Sequence, residues 1–325
     1  MQDTAMEQNR AGQSLTGQDV TARLDRNELS EGWAEKGRTP RLTASVKLGA
    51  KTDLGRVREN NEDKFDFYEP EDPAVLATKG SFYAVADGMG GHSAGQIACE
   101  LALKTVIQAY YANPSADAEA SLRRAIEEAN SLVYDTAQAI SDRQGMGTTL
   151  TAAVVREDQL LIAQVGDSRA YLLRDGSLTQ ITDDHSWVAE QVRLGVMTAD
   201  DAQTSPFRNI ITRSVGTAQN VEADLTTRTL QVGDTLMLCS DGLTGHVDPP
   251  EIQAVLQENS PSVAAMRLVE AANRNGGRDN ITVLILSVRG LSAYSSDSAS
   301  GEGDANLDSE SGANRPEKRG WGRRK

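Results

Sequence analysis

Apolar residues recur at every second position in some stretches of the chain and at every third or fourth in others. The segment 154–166 reads as two apolar strands around Glu157-Asp158. Segment 171–181 repeats the pattern around Arg174-Asp175-Gly176-Ser177, a hairpin signal. Segment 230–239 reads the same way around Val232-Gly233-Asp234, and 280–288 as a last buried strand. Helical spacing is clearest at Leu122, Ala125, Ile126, Ala129, Val133, Ala137 and Ile140, which fall on one face. Further helices are predicted over about 94–111, 250–256 and 263–273. Strands joined by hairpins, helices in pairs, and no βαβ alternation or internal repeat predict one α+β domain over 41–290. Its sheets are antiparallel, with helices packed outside them.

The flanks differ from this body. Residues 1–40 are polar and aperiodic, a flexible arm; residues 291–325 are Ser/Gly/Asp-rich, first acidic and then basic, a disordered tail. No apolar run reaches the roughly 18–20 residues of a membrane span, and the start MQDTAMEQNR lacks the pattern of an export signal. Net charge is −14, with −2 in residues 1–40 and zero in 291–325, so −12 falls in the body. That excess argues against nucleic acid or an anionic membrane as partner. The two cysteines, Cys99 and Cys239, lie in apolar-rich segments and read as buried thiols in a reducing, cytoplasmic setting.

Candidate chemistry lies where strands meet turns. Phe82–Ala86 is wholly apolar or aromatic, and then Asp87 opens the turn DGMGGH. Asp167 ends LLIAQVGD, Asp241 ends LMLCSD, Asp279 precedes NITVLILSV, and Glu62-Asp63 lie in RENNEDKF. Each acid alone reads as a turn residue or helix cap. Together, on aligned strands, they converge on one sheet edge, where they repel each other unless cations neutralise them. Oxygen donors without a Cys/His cluster or a twelve-residue calcium loop point to Mg²⁺ or Mn²⁺. Two such ions can activate a water and hold an in-line displacement at phosphorus. Arg58, four residues before Glu62, suits a phosphate and reads equally well as a surface arginine.

In this order, GRVRENNED (55–63), ADGMGG (86–91), GTT (147–149), GDSRAY (166–171), SDGL (240–243) and GGRDNIT (276–282) resemble the metal-dependent, type 2C serine/threonine protein phosphatases, most closely their bacterial members. The resemblance covers about 250 residues and neither flank. It implies two antiparallel sheets sandwiched between pairs of helices, with the metal site at one end. It implies that Asp87 bridges two Mn²⁺ or Mg²⁺ ions with the Gly88 carbonyl as a further ligand, and that Asp241 and Asp279 complete the shell. Glu62 and Asp63 then act through bound waters, Arg58 holds the substrate phosphate, and Asp167 binds a third, weaker ion, with Asp201 a candidate partner. The implied reaction is hydrolysis of phosphoserine and phosphothreonine on proteins by a metal-bridging water, opposing a Ser/Thr kinase that is itself a candidate substrate. A monomer is expected. The alternatives are a regulator phosphatase acting on a phosphorylated anti-sigma antagonist and a non-catalytic phosphoprotein-binding pseudophosphatase.

Two departures from the family pattern stand out. Met89 occupies a position where many eukaryotic members carry a histidine, and Gly245 one where relatives often carry an acid. His92 reads as a helix cap or packing residue, and His246 as structural. His185 opens a segment that corresponds to the mobile flap of bacterial relatives.

Overall fold

The computed structural model describes residues 39–90 and 94–294. His92, and nearly all of the arm and tail read at 1–40 and 291–325, lie outside the described residues.

Alternation along the strands builds the fold. One sheet runs β1 (Leu42–Asp53), β12 (Ile281–Ala293), β11 (Thr235–Cys239), β8 (Arg169–Arg174), β9 (Ser177–Gln180). The other runs β10 (Asp224–Thr229), β7 (Gln159–Val165), β6 (Leu150–Arg156), β3 (Ser81–Ala86), β2 (Lys64–Tyr68). All of these pairs are antiparallel. Successive side chains of a strand face opposite ways, so each sheet is apolar on both faces. Tyr83, Val85, Ala153, Leu160 and Ile162 meet Leu236, Leu238, Leu284 and Leu286 in a core between the sheets. Their neighbours Phe82, Ala84, Ala152, Leu161 and Ala163 turn outward to α2 (Ala94–Ala112) and α3 (Ala118–Ala139). On the other flank, Met237, Cys239, Ile281, Val283 and Ile285 pack on α6 (Pro249–Glu258) and α7 (Pro261–Arg274). The result is the α-β-β-α sandwich of the sequence reading.

Local signals explain the helix ends. Asp117 accepts from Glu119 N and Ala120 N to cap α3, and Asp72 caps the short α1 (Pro73–Lys79). Ile140, read as part of the α3 face, is the residue after the helix end and is exposed.

Three features differ from expectation. Segment 230–239 is no hairpin: β10 pairs with β7 and β11 with β8 and β12, so Val232-Gly233-Asp234 carries the chain from one sheet to the other. Leu230 N donates to Asp158 O on one side of that crossing and Gly233 N to Val288 O on the other. The last strand also continues past 290, with Ala293 opposite Leu42, because Leu291 packs on the inter-sheet core. Finally, β1 was not read, although Leu42, Ala44, Val46, Leu48 and Ala50 alternate and all but Leu42 pack on that core.

Candidate active site

The antiparallel order brings several strand ends to one end of the sandwich. Asp63 immediately precedes β2, Asp87 follows β3, Asp167 follows β7 by two residues, Asp241 follows β11 by two, and Asp279 precedes β12 by two. Asp87, Asp167, Asp241 and Asp279 line one open cleft of about 500 Å³ with Arg58, Glu62, Gly88 and Met89. Asp63 lies beneath it, buried, with Oδ2 accepting from Ser240 Oγ at 2.6 Å.

Each acid is held by neighbours whose purpose only the structure shows. The Asp87 amide donates to Thr149 Oγ1 at 2.9 Å, and its carbonyl accepts from Thr149 N at 2.9 Å and Thr148 Oγ1 at 3.0 Å. The GTT motif therefore clamps the turn, and its first two residues form β5 (Gly147–Thr148), paired with β4 (Gly88–Met89). Thr149 Oγ1 also shares a 2.7 Å hydrogen bond with Ser168 Oγ, which ties the Asp87 turn to the Asp167 turn. Gln164 fixes that second turn, its Nε2 donating to Gly166 O at 2.9 Å and Ser168 O at 2.6 Å. Gly88 packs so closely on α2 that a Cβ there would overlap the Gly95 carbonyl. The loop carrying Arg58 is stapled by Asn280, whose Oδ1 accepts from Glu62 N at 2.8 Å and whose Nδ2 reaches Leu54 O and Asn60 O, each at 3.0 Å. Thr149, Gln164, Ser168, Ser240 and Asn280 were not singled out from the sequence. Their proximity to strand-end acids was the available signal.

Electrostatics follow from crowding. Burial pushes the Asp63 carboxyl up to about 7 against hydrogen bonds from Ser240 and Thr282, and Asp167 up to about 8. Asp87 rises well above the carboxylate range, first through burial and then through the charges of Asp63, Asp241, Asp167 and Asp279. Asp241 rises through burial and Asp279, and Glu62 through burial. Arg58 donates to Asp279 Oδ2 at 2.7 Å, and that bond raises its own pKa.

These residues suit hard cations. All donors are oxygens, and the buried Oδ1 atoms of Asp63 and Asp167 have no hydrogen-bond partner. As they stand, no group of three His, Cys, Asp or Glu among the described residues forms a ready metal cage. Part of the cluster instead engages Arg58.

Other candidates fall elsewhere. Asp201 lies in the first turn of α5 (Ala199–Thr204), where its amide donates to the N-cap Thr198 Oγ1 at 3.1 Å and its Oδ2 accepts from that hydroxyl at 2.6 Å, and it does not line the cleft. His246 bridges the SDGL turn and the GGRD loop: Nε2 accepts from Arg278 N at 3.2 Å, so Nδ1 carries the proton to Gly242 O at 2.9 Å. Asn209 and Ile211, from the segment opened by His185, also line the cleft. Cys99 and Cys239 are free and buried, burial pushing Cys239 up to about 12 and Cys99 well above its usual range.

Comparison with known proteins shows the family. Residues 56–277 match the family model for protein phosphatase 2C. The serine/threonine phosphatase stp of Listeria welshimeri is 41% identical over 243 residues, covering 73% of this chain and 93% of that one. PstP of Mycobacterium tuberculosis is 39% identical over 248 residues, 76% of this chain and 46% of the relative. The crystal structure of the PstP catalytic domain in complex with two manganese ions superposes with a TM-score of 0.66 at 37% identity, covering 76% of this chain and all of that one. Stp1 from Staphylococcus aureus does so at 0.71 and 34%, covering 78% and 100%. The chain belongs to the protein phosphatase 2C family and is a metal-dependent serine/threonine protein phosphatase.

Proposed function

We propose that Arg58, Glu62, Asp63, Asp87, Gly88, Asp167, Asp241 and Asp279 carry the hydrolysis of protein phosphoserine and phosphothreonine at this cleft. One observation supports the assignment above all: carboxylates from five separate segments crowd one end of the sandwich beside Arg58. Asp87, the Gly88 carbonyl, Asp241 and Asp279 are the residues to hold two Mn²⁺ or Mg²⁺ ions directly. Glu62 and Asp63 support that shell, and Asp167 holds a third ion. Bound hard cations supply Lewis acidity that activates water and offsets charge on the phosphoryl oxygens.

The chain's own groups do the rest. Arg58 has five donors and spends one on Asp279, which leaves its fork to orient a phosphate at the cleft mouth. Met89 carries no transferable proton, so the leaving Ser or Thr oxygen takes its proton from water. Neither cysteine lines the cleft, and both thiols are held protonated, so no phosphocysteine forms. A Ser/Thr kinase is among the substrates in this reading, and the protein works as a monomer in the cytoplasm, a setting that its two free thiols favour. Among the described residues no helix is long and apolar enough to cross a membrane. Asp241→Asn should abolish Mn²⁺-dependent phosphate release from a phosphothreonine peptide; undiminished turnover would overturn the assignment.

A further inference from the structure

The segment 185–213 has almost no core of its own. Its helix α4 (Trp187–Arg193) buries only Val188, while Leu194 is 72%, Val196 73%, Phe207 50% and Ile210 47% exposed. A ring contact between Trp187 and Phe207, centroids 5.3 Å apart, is its main internal packing. With so little apolar burial, hydrogen bonds at its base must set where it lies.

That base is a short stem. Ser186 bridges Ile211, Trp187 N donates to Ile210 O at 2.8 Å, and Thr212 N donates to His185 O at 2.8 Å. His185 is 1% exposed and grips Gly166 from both sides. Gly166 N donates to His185 Nδ1 at 3.1 Å, and His185 N donates to Gly166 O at 2.8 Å. Gly166 has φ +103°, and a Cβ there would lie 2.6 Å from Thr149 Cβ, so the turn has no room to yield. Because Gly166 claims Nδ1, the ring proton is assigned to Nε2, which donates to Asp224 Oδ2 at 3.1 Å. Arg213 Nη1, 3.2 Å from Nε2, gives its protons instead to Asp224 Oδ1 at 2.6 Å and Glu222 O at 2.9 Å. Through its ring and its backbone together, His185 thus joins the turn next to Asp167, the second strand of the stem and the start of β10.

We propose that His185 is a positioning residue that locks the stem of segment 185–213 to the Asp167 turn. The lock sets Asn209 and Ile211 over the cleft for protein substrates. Three of the four groups on His185, Nδ1, the backbone amide and the backbone carbonyl, bond to the Asp167 turn or to the stem, the two elements that carry cleft-lining residues on either side of it. The inference rests on the reading of the cleft as the phosphatase site.

Two readouts test it in the full chain. His185→Ala should raise KM for a phosphothreonine peptide about tenfold while kcat falls less than about threefold, since misplaced contacts rather than lost chemistry are at issue. Trypsin should cut the folded variant faster at the exposed Arg193 and Arg208. His185→Asn, which keeps an acceptor for the Gly166 amide, should recover most of both effects. If His185→Ala does not fold, Asp224→Ala removes the Nε2 partner from a more exposed position and should show the same KM shift and faster cleavage. Unchanged KM with unchanged trypsin rates, or an Asn variant no better than Ala, overturns the proposal. If the unaltered protein turns over no peptide, the function reading fails instead, and the trypsin comparison still decides the role of His185.

Discussion

Thr149 shows how much one hydroxyl can organise. It accepts from the Asp87 amide at the edge of the cleft and shares a fully buried hydrogen bond with Ser168. Thr149→Val keeps the shape and removes both partners, leaving an amide and a hydroxyl unsatisfied beside the cleft. The expected cost is about 2–6 kcal/mol of stability, at roughly 1–3 kcal/mol per orphaned group, read from urea unfolding. Mn²⁺ affinity should weaken with it, because the Asp87 turn loses its clamp. The motif itself was legible in the sequence. Its partner was not, since Thr149 and Asp87 are 62 residues apart.

At the level of elements, the loop 54–63 depends on a neighbour from the far end of the chain. Asn280 makes three hydrogen bonds to it, and Asp279 pairs with Arg58. Asn280→Ala should free that loop without altering any of the carboxylates proposed to hold metal. The expected outcome is a peptide KM raised about tenfold, with kcat less affected, because Arg58 loses its fixed position. Steady-state kinetics on a phosphothreonine peptide check this; equal losses in kcat and kcat/KM with KM unchanged would contradict it. The strand periods and the two long helices were readable here because period is a local property. The crossing at Val232-Gly233-Asp234 was not: a glycine-containing turn between apolar runs has the same local signature whether its strands pair or part.

Across the whole molecule, the crowded acids link stability to protons and cations. Asp63 titrates at about 7 and Asp167 at about 8 in the metal-free fold, against about 3.9 in an unfolded chain. Between those values the folded state holds protons that the unfolded state has released. Metal-free stability is therefore greatest below about pH 4 as far as these two groups are concerned, and falls as pH rises toward 8. In EDTA, Tm should decline from pH 5 to pH 8. Saturating Mn²⁺ replaces those protons and should flatten or reverse the slope, with proton release on binding visible by calorimetry in buffers of different ionisation enthalpy. A Tm in EDTA that rises across this range would show that these carboxyls are not raised.

The sequence by itself determined most of the strands, the long helices and which acids stand at strand ends. Side-chain period and turn chemistry are written into neighbouring residues. Six short motifs in order were enough to point to the family. Only the tertiary structure decided that Asp63 lies beneath the cleft while Asp279 faces it and pairs with Arg58. It alone placed Asp201 in the first turn of a helix, away from Asp167, and made His185 a joint between two elements. Burial, pairing and pKa depend on residues tens to hundreds of positions away, and those contacts exist only once the two sheets have closed on each other.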